Sequence, residues 1–166
     1  MQIFVDMDGV LADFDRHYKT VFDVEASKLL DNVDWQKVRG HKDFYANIPP
    51  MHDFDVLWSY VTRVGQRLGT PPIVLTGIPS SVEEAEANKR AWITRHLGDA
   101  VPVICCLSKD KCLHGLPGDV LIDDWEKHRQ AWEDMGGYWI THTSATSSCY
   151  ALDVLLSNKE RQWTGL

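Results

Sequence analysis

The sequence holds no run of Lys or Arg, and its 17 basic residues are outnumbered by 24 acidic ones, giving a net charge of −7. A chain that covered many backbone phosphates would need the opposite balance, so an extended nucleic-acid footprint is not expected. An acidic protein can still bind one phosphate if a few cations and a metal gather in one cleft. No stretch approaches the ~20 apolar residues of a spanning helix, which argues against a membrane segment. The N-terminus lacks an apolar h-region and carries strand-like sequence with two aspartates instead, so no signal peptide is expected. Cysteine is scarce: Cys105, Cys106, Cys112 and Cys149, with no C-x2-C and no H-x3-H pair to support zinc. Cys105 and Cys106 fall in an apolar run and read as reduced core residues of a cytoplasmic protein, alternating across a strand. Internal repeats and low-complexity segments are also missing. At 166 residues the chain fits one compact domain with room for a small insertion.

What is present begins at once. Ile3-Phe4-Val5 reads as a short buried strand that stops in Asp6-Met7-Asp8-Gly9. Two aspartates and a glycine can be no more than a turn. An EF-hand loop is excluded by register, because Gly9 as the loop glycine would put Asp15, not glutamate, at the last position. Further apolar strands are expected at 73–77, 101–107, 119–124 and 138–141. Helices are expected after the stretch 10–15 leads in, through Tyr18 and Phe22, then over 53–68, from a Ser81/Glu84 capping box to Gly98, over 126–135 and around 150–156. The tail from residue 157 reads as peripheral. Residues 23–48 have weak periodicity, with Trp35, Phe44 and Tyr45 among many charges, and suit a short helical insertion.

Strands alternating with helices predict an α/β fold: a doubly wound, mostly parallel five-stranded sheet of Rossmann-like type, with a small helical cap after the first strand. The expected division is a core of residues 1–14 and 49–166 and a cap of residues 15–48. In such a sheet the strand ends share one edge, where ligands bind. The ends here carry Asp6 and Asp8, then Thr76-Gly77, then Lys111, then Asp123-Asp124. Alone, Thr76-Gly77 is a plain strand end, Lys111 a surface lysine, and Asp123-Asp124 a helix cap.

Together they suit phosphoryl transfer to a carboxylate. Asp6 would attack phosphorus and Asp8 would serve as acid and then base. Thr76 and the Gly77 N–H would hold phosphoryl oxygens, and Lys111 would offset the spreading charge. So many acids near a phosphate dianion call for a hard cation, and Mg2+ is the natural one. A receiver-type phosphoacceptor uses similar residues, but there the phosphorylated aspartate ends a middle strand.

These four strand ends resemble the motifs of the haloacid dehalogenase (HAD) superfamily of aspartate-nucleophile phosphatases. The resemblance implies Mg2+ held by Asp6, the backbone carbonyl of Asp8, and Asp123-Asp124, with Asp124 favoured as the direct ligand. Asp6-Met7-Asp8-Gly9-Val10-Leu11-Ala12-Asp13-Phe14, Lys89-Arg90-Ala91-Trp92-Ile93 and Lys109-Asp110-Lys111 are similar to stretches of the 5'(3')-deoxyribonucleotidases. That likeness implies a nucleoside monophosphate as substrate, with Phe14 and the cap aromatics Trp35, Phe44 and Tyr45 lining a nucleobase pocket. For Trp35, packing within the cap is an equal alternative. Helix-borne lysines serve the phosphate in some relatives, so Lys89 stands as the alternative to Lys111. Gly77 departs from the family, which has a polar residue there, and residues 115–118 add length. Another small phosphate ester, or a nucleic-acid 3'-phosphate end, remains open as substrate.

Overall fold

The computed structural model describes residues 1–25 and 32–164, with side chains to residue 159. Residues 26–31 of the expected cap lie outside the described residues. Five parallel strands form one sheet: β1 (Ile3–Val5), β2 (Ile73–Gly77), β3 (Val103–Cys106), β4 (Val120–Asp123) and β5 (Tyr138–Thr141). Their spatial order is β3-β2-β1-β4-β5. The order reverses at β1, so the chain's first strand lies at the centre with β2 and β4 on either side. Its aspartates therefore emerge at the topological switch point, where open α/β sheets bind ligands.

The pleat sorts the strand residues between two faces. Ile3 and Val5, with Val74, Val120, Ile122 and Ile140, belong to the larger core, which also takes in the helices. These are α3 (Phe54–Leu68), α4 (Ala85–Leu97) and α6 (Ala145–Thr164). Phe4, Leu75 and Leu121 turn to the other face, beneath Trp132 of α5 (Arg129–Asp134). β3 is an edge strand, so Cys105 and Cys106 are only half-buried.

Three expected boundaries shift. The helix expected over 126–135 is a 3₁₀ turn (Glu126–His128) followed by α5. The Ser81/Glu84 capping box does not form; α4 starts at Ala85, with Glu84 before it and no side-chain cap. The last helix starts earlier and runs through most of the tail. Lys159 anchors it, with Nζ 3.0 Å from the Gly118 carbonyl and 4.5 Å from the Tyr138 ring centre. No helix among the described residues is long and apolar enough to cross a membrane.

Between β1 and α3 lie α1 (Phe14–Phe22), α2 (Trp35–Gly40) and a 3₁₀ turn (Tyr45–Asn47). Their aromatic cluster is continuous with the larger core. The two connections to this insertion run side by side: Asp13 N donates to Pro49 O and Met51 N to Leu11 O, both at 2.8 Å. Helix α4 grips its far end, since Trp92 Nε1 donates to Ile48 O at 2.6 Å and Arg95 to Ala46 O at 2.8 Å.

Candidate active site

The turn after β1 is tight, with the amides of Leu11 and Ala12 both donating to Met7 O at 2.8 Å. It holds Asp6 and Asp8 at 4% and 5% exposure. Gly9 has φ +83°, and a Cβ there would lie 2.0 Å from Asp124 Oδ2. Only glycine lets the Asp124 carboxylate, carried just past β4, approach the β1 turn this closely.

Two lysines meet these acids from different elements. Lys111, in the 3₁₀ segment Ser108–His114 after β3, places Nζ 3.0 Å from Asp6 Oδ1 and 2.6 Å from Asp123 Oδ2. Burial alone would lower its pKa, but the charges and hydrogen bonds of Asp123 and Asp6 prevail and hold it protonated, well above the usual lysine value. Burial, with the charge of Asp6 added, raises the Asp123 carboxyl although Lys111 opposes this. Lys89 arrives from α4 with no exposed surface. Its Nζ donates to Asp8 Oδ2 at 2.7 Å, to Thr76 Oγ1 at 3.0 Å and to Gly77 O at 2.6 Å. Lys89 is therefore fully buried, and both lysines reach the site.

Carboxylate oxygens of Asp6, Asp123 and Asp124 lie within 4.8 Å of one another and could hold a metal ion. The all-oxygen donor set suits a hard cation. The Asp8 carboxylate is not part of this group and turns to Lys89. Four carboxylates here face two ammonium groups; fully ionised, they leave two negative charges for a divalent cation to cancel.

A cleft of about 360 Å³ opens above these groups. Trp35 and Tyr45 form its wall on the insertion side. Phe14 and Phe44, also expected in a base pocket, are placed otherwise. Phe14 is the hub of the aromatic cluster, 1% exposed, with its ring centre 5.6–6.2 Å from those of Tyr18, Trp35, Phe44 and Tyr45. Phe44 lines a neighbouring groove with Arg39 and His41. Gly77 lines the cleft, and a side chain there would strike Ser108 Oγ at 2.1 Å. Ser108 occupies the space that a polar residue at position 77 would need.

The sequence reading missed the opposite rim: Lys109 from the same 3₁₀ segment as Lys111, and Trp125, Lys127 and His128 from the stretch between β4 and α5. Trp125 follows the Asp123-Asp124 pair directly, and its amide donates to Asp123 Oδ1 at 2.9 Å. Its place beside two strand-end acids was the signal available.

No family model matches the chain. It is similar to a protein of Bordetella bronchiseptica named "Putative 5'(3')-deoxyribonucleotidase", 27% identical over 145 residues, an alignment that takes in 75% of this chain and 74% of that one.

Proposed function

We propose that this protein is a metal-dependent phosphomonoesterase that works through an aspartyl-phosphate and acts on nucleoside monophosphates. One observation carries the reading: Asp6, Asp8, Lys111 and Asp123 line the floor of a single cleft whose insertion-side wall is aromatic, with Lys89 bonded to Asp8 and Thr76 beneath it and Asp124 closing on Asp6 and Asp123. The name of the Bordetella protein supports the same substrate class.

In this reading Asp6 attacks phosphorus in line. An Asp6–phosphorus bond forms as the ester oxygen departs with a proton from Asp8. Asp8 then takes a proton from water, which attacks the acyl phosphate and releases Asp6 and inorganic phosphate. Lys89, bonded to the Asp8 carboxylate, keeps that carboxylate aimed along one line. Thr76 Oγ1 accepts from Lys89, which leaves its own proton to donate to a phosphoryl oxygen. Lys111, between Asp6 and Asp123, offsets the charge that spreads over the phosphoryl group.

Asp6 and Asp124 would hold Mg2+, with Asp123 behind them. Both Asp123 oxygens already accept hydrogen bonds, from Lys111 and from the Trp125 amide. The cation would supply charge neutralisation between the nucleophile and the phosphate dianion. The insertion would act as the cap, and Trp35 and Tyr45 would face a nucleobase.

A panel of phosphate monoesters assayed with Mg2+ and with EDTA tests the reading. Metal-dependent turnover with nucleotides ahead of sugar phosphates supports it. Equal rates on both classes remove the nucleotide, and no turnover of any ester removes the phosphatase.

A further inference from the structure

The protein is acidic overall, with 24 acidic against 17 basic residues, yet the rim of its cleft is not. Above the floor, the groups lining the cleft include Lys109, Lys127 and His128 and no carboxylate. Glu126, in the same loop as Lys127, is drawn off to Thr141 and Arg129. The floor lysines, Lys89 and Lys111, are committed to aspartates. Among the described residues neither Lys109 nor Lys127 forms an ion pair with a carboxylate, although each is exposed. Lys127 lies 4.8 Å from the Trp125 ring centre and His128 5.7 Å from it, so the three side chains form one group. Burial first, and then the charges of Lys127 and Lys111, pull His128 below the usual histidine value, against the opposing charges of Asp123 and Asp110.

Lysines without a carboxylate ion pair, on two separate 3₁₀ segments that border one cavity, mark where negative charge is received. In the phosphatase reading the phosphoryl group to be cleaved is met at the floor by Thr76 and Lys111, which leaves Lys109, Lys127 and His128 for negative charge elsewhere on the substrate. We propose that the leaving group itself carries a second phosphate, which Lys109, Lys127 and His128 hold while the first is hydrolysed. The preferred substrates are then bisphosphates. This rests on the phosphatase reading above and not on the nucleobase.

The test compares 2'-deoxyadenosine 3',5'-bisphosphate with its two monophosphates, and fructose 1,6-bisphosphate with its two monophosphates. Wild type and the Lys109→Gln/Lys127→Gln double variant are assayed with Mg2+, at low and at high salt. Exposed ion pairs contribute modestly, so the expected kcat/KM advantage of each bisphosphate is about tenfold at low salt. It should shrink as salt screens the rim and fall towards parity in the double variant, whose melting temperature checks its fold. A wild-type ratio at or below parity, with the monophosphates still hydrolysed, overturns the second-phosphate site and leaves the phosphatase standing. A bisphosphate advantage that the double variant retains also overturns it. A bisphosphate advantage in both substrate pairs, without any preference for nucleotides, upholds the site and removes the nucleotidase.

Discussion

Lys89 Nζ lies 2.7 Å from Asp8 Oδ2, and the pair is sealed at the bottom of the cleft under the Tyr45 ring, whose centre is 4.7 Å from the ammonium. One helix-borne lysine thus joins the proposed acid/base, the end of β2 and the insertion. Proximity along the chain favours Lys111 as the more important lysine, but the geometry gives both a direct place. Lys89→Met and Lys111→Met should each lower kcat about 10²-fold or more, in line with ~2.7–4 kcal/mol for one preorganised electrostatic group. Removing Lys89 also leaves Asp8 in a buried site, so unfolding free energy should fall by about 3–5 kcal/mol. Steady-state kinetics with denaturant titration checks both. Near wild-type turnover in Lys89→Met would remove Lys89 from the mechanism.

Gly9 makes a second test possible without touching a charged group. Gly9→Ala adds a Cβ at φ +83°, 2.0 Å from Asp124 Oδ2. The carboxylate must move, at a cost in strain of about 1–3 kcal/mol. The expected result is weaker Mn2+ binding by titration calorimetry, with the circular dichroism spectrum retained. Unchanged Mn2+ affinity would separate Asp124 from the metal.

The aromatic side chains divide into two sets with different expected phenotypes. Trp35 and Tyr45 line the cleft; replacing Trp35 with Ala should lower kcat/KM for nucleotides about tenfold relative to glycerol phosphate, within the ~1–3 kcal/mol of base stacking. Phe14 lies in the packed cluster, so Phe14→Ala should act first on stability, by about 3–5 kcal/mol. A Phe14→Ala protein of normal stability that has lost only its nucleotide preference would reverse this assignment.

How much of this was legible in the sequence depended on the kind of signal. Apolar runs ending in acid, in Thr-Gly or near lysine marked the strand ends, because a buried parallel strand and the edge where it stops are both local patterns. Lys89 was harder to place. Ala85, Asn88, Lys89, Trp92 and Ile93 form the buried stripe of α4, so a lysine within an apolar helical stripe was the available clue. Its partners, Asp8 and Thr76, lie 81 and 13 residues away, and no spacing rule joins them. The insertion gave little periodicity because its core is a cluster of rings rather than a stripe along one helix. The rim cations stayed hidden because exposed lysines carry no pattern until the sheet brings two loops together.

The insertion should also respond to pH. His17 is buried against Phe44, with ring centres 4.7 Å apart. Burial first, and then the charge of His41, lower its pKa below 6.5, while a backbone contact with Phe44 raises it less. A histidine whose folded pKa is lowered costs stability as pH falls below the unfolded value, because the unfolded chain takes up the proton first. Melting temperature should therefore drop as pH falls from about 7.5 to 5.5, and drop less in His17→Gln. The same pH dependence in both proteins would exclude His17 as its source.

The central claim is a covalent bond between Asp6 and phosphorus, and the Asp8→Asn variant gives the most direct view of it. With the proposed base for deacylation removed, rapid acid quench during turnover of p-nitrophenyl phosphate, whose leaving group departs without a proton from Asp8, followed by peptide mass spectrometry, should find a hydroxylamine-sensitive phosphoryl group on Asp6. Asp6→Asn, verified free of deamidation, should show neither the adduct nor turnover. Near wild-type turnover by Asp6→Asn, or a phosphoryl group trapped on another residue, would contradict the account.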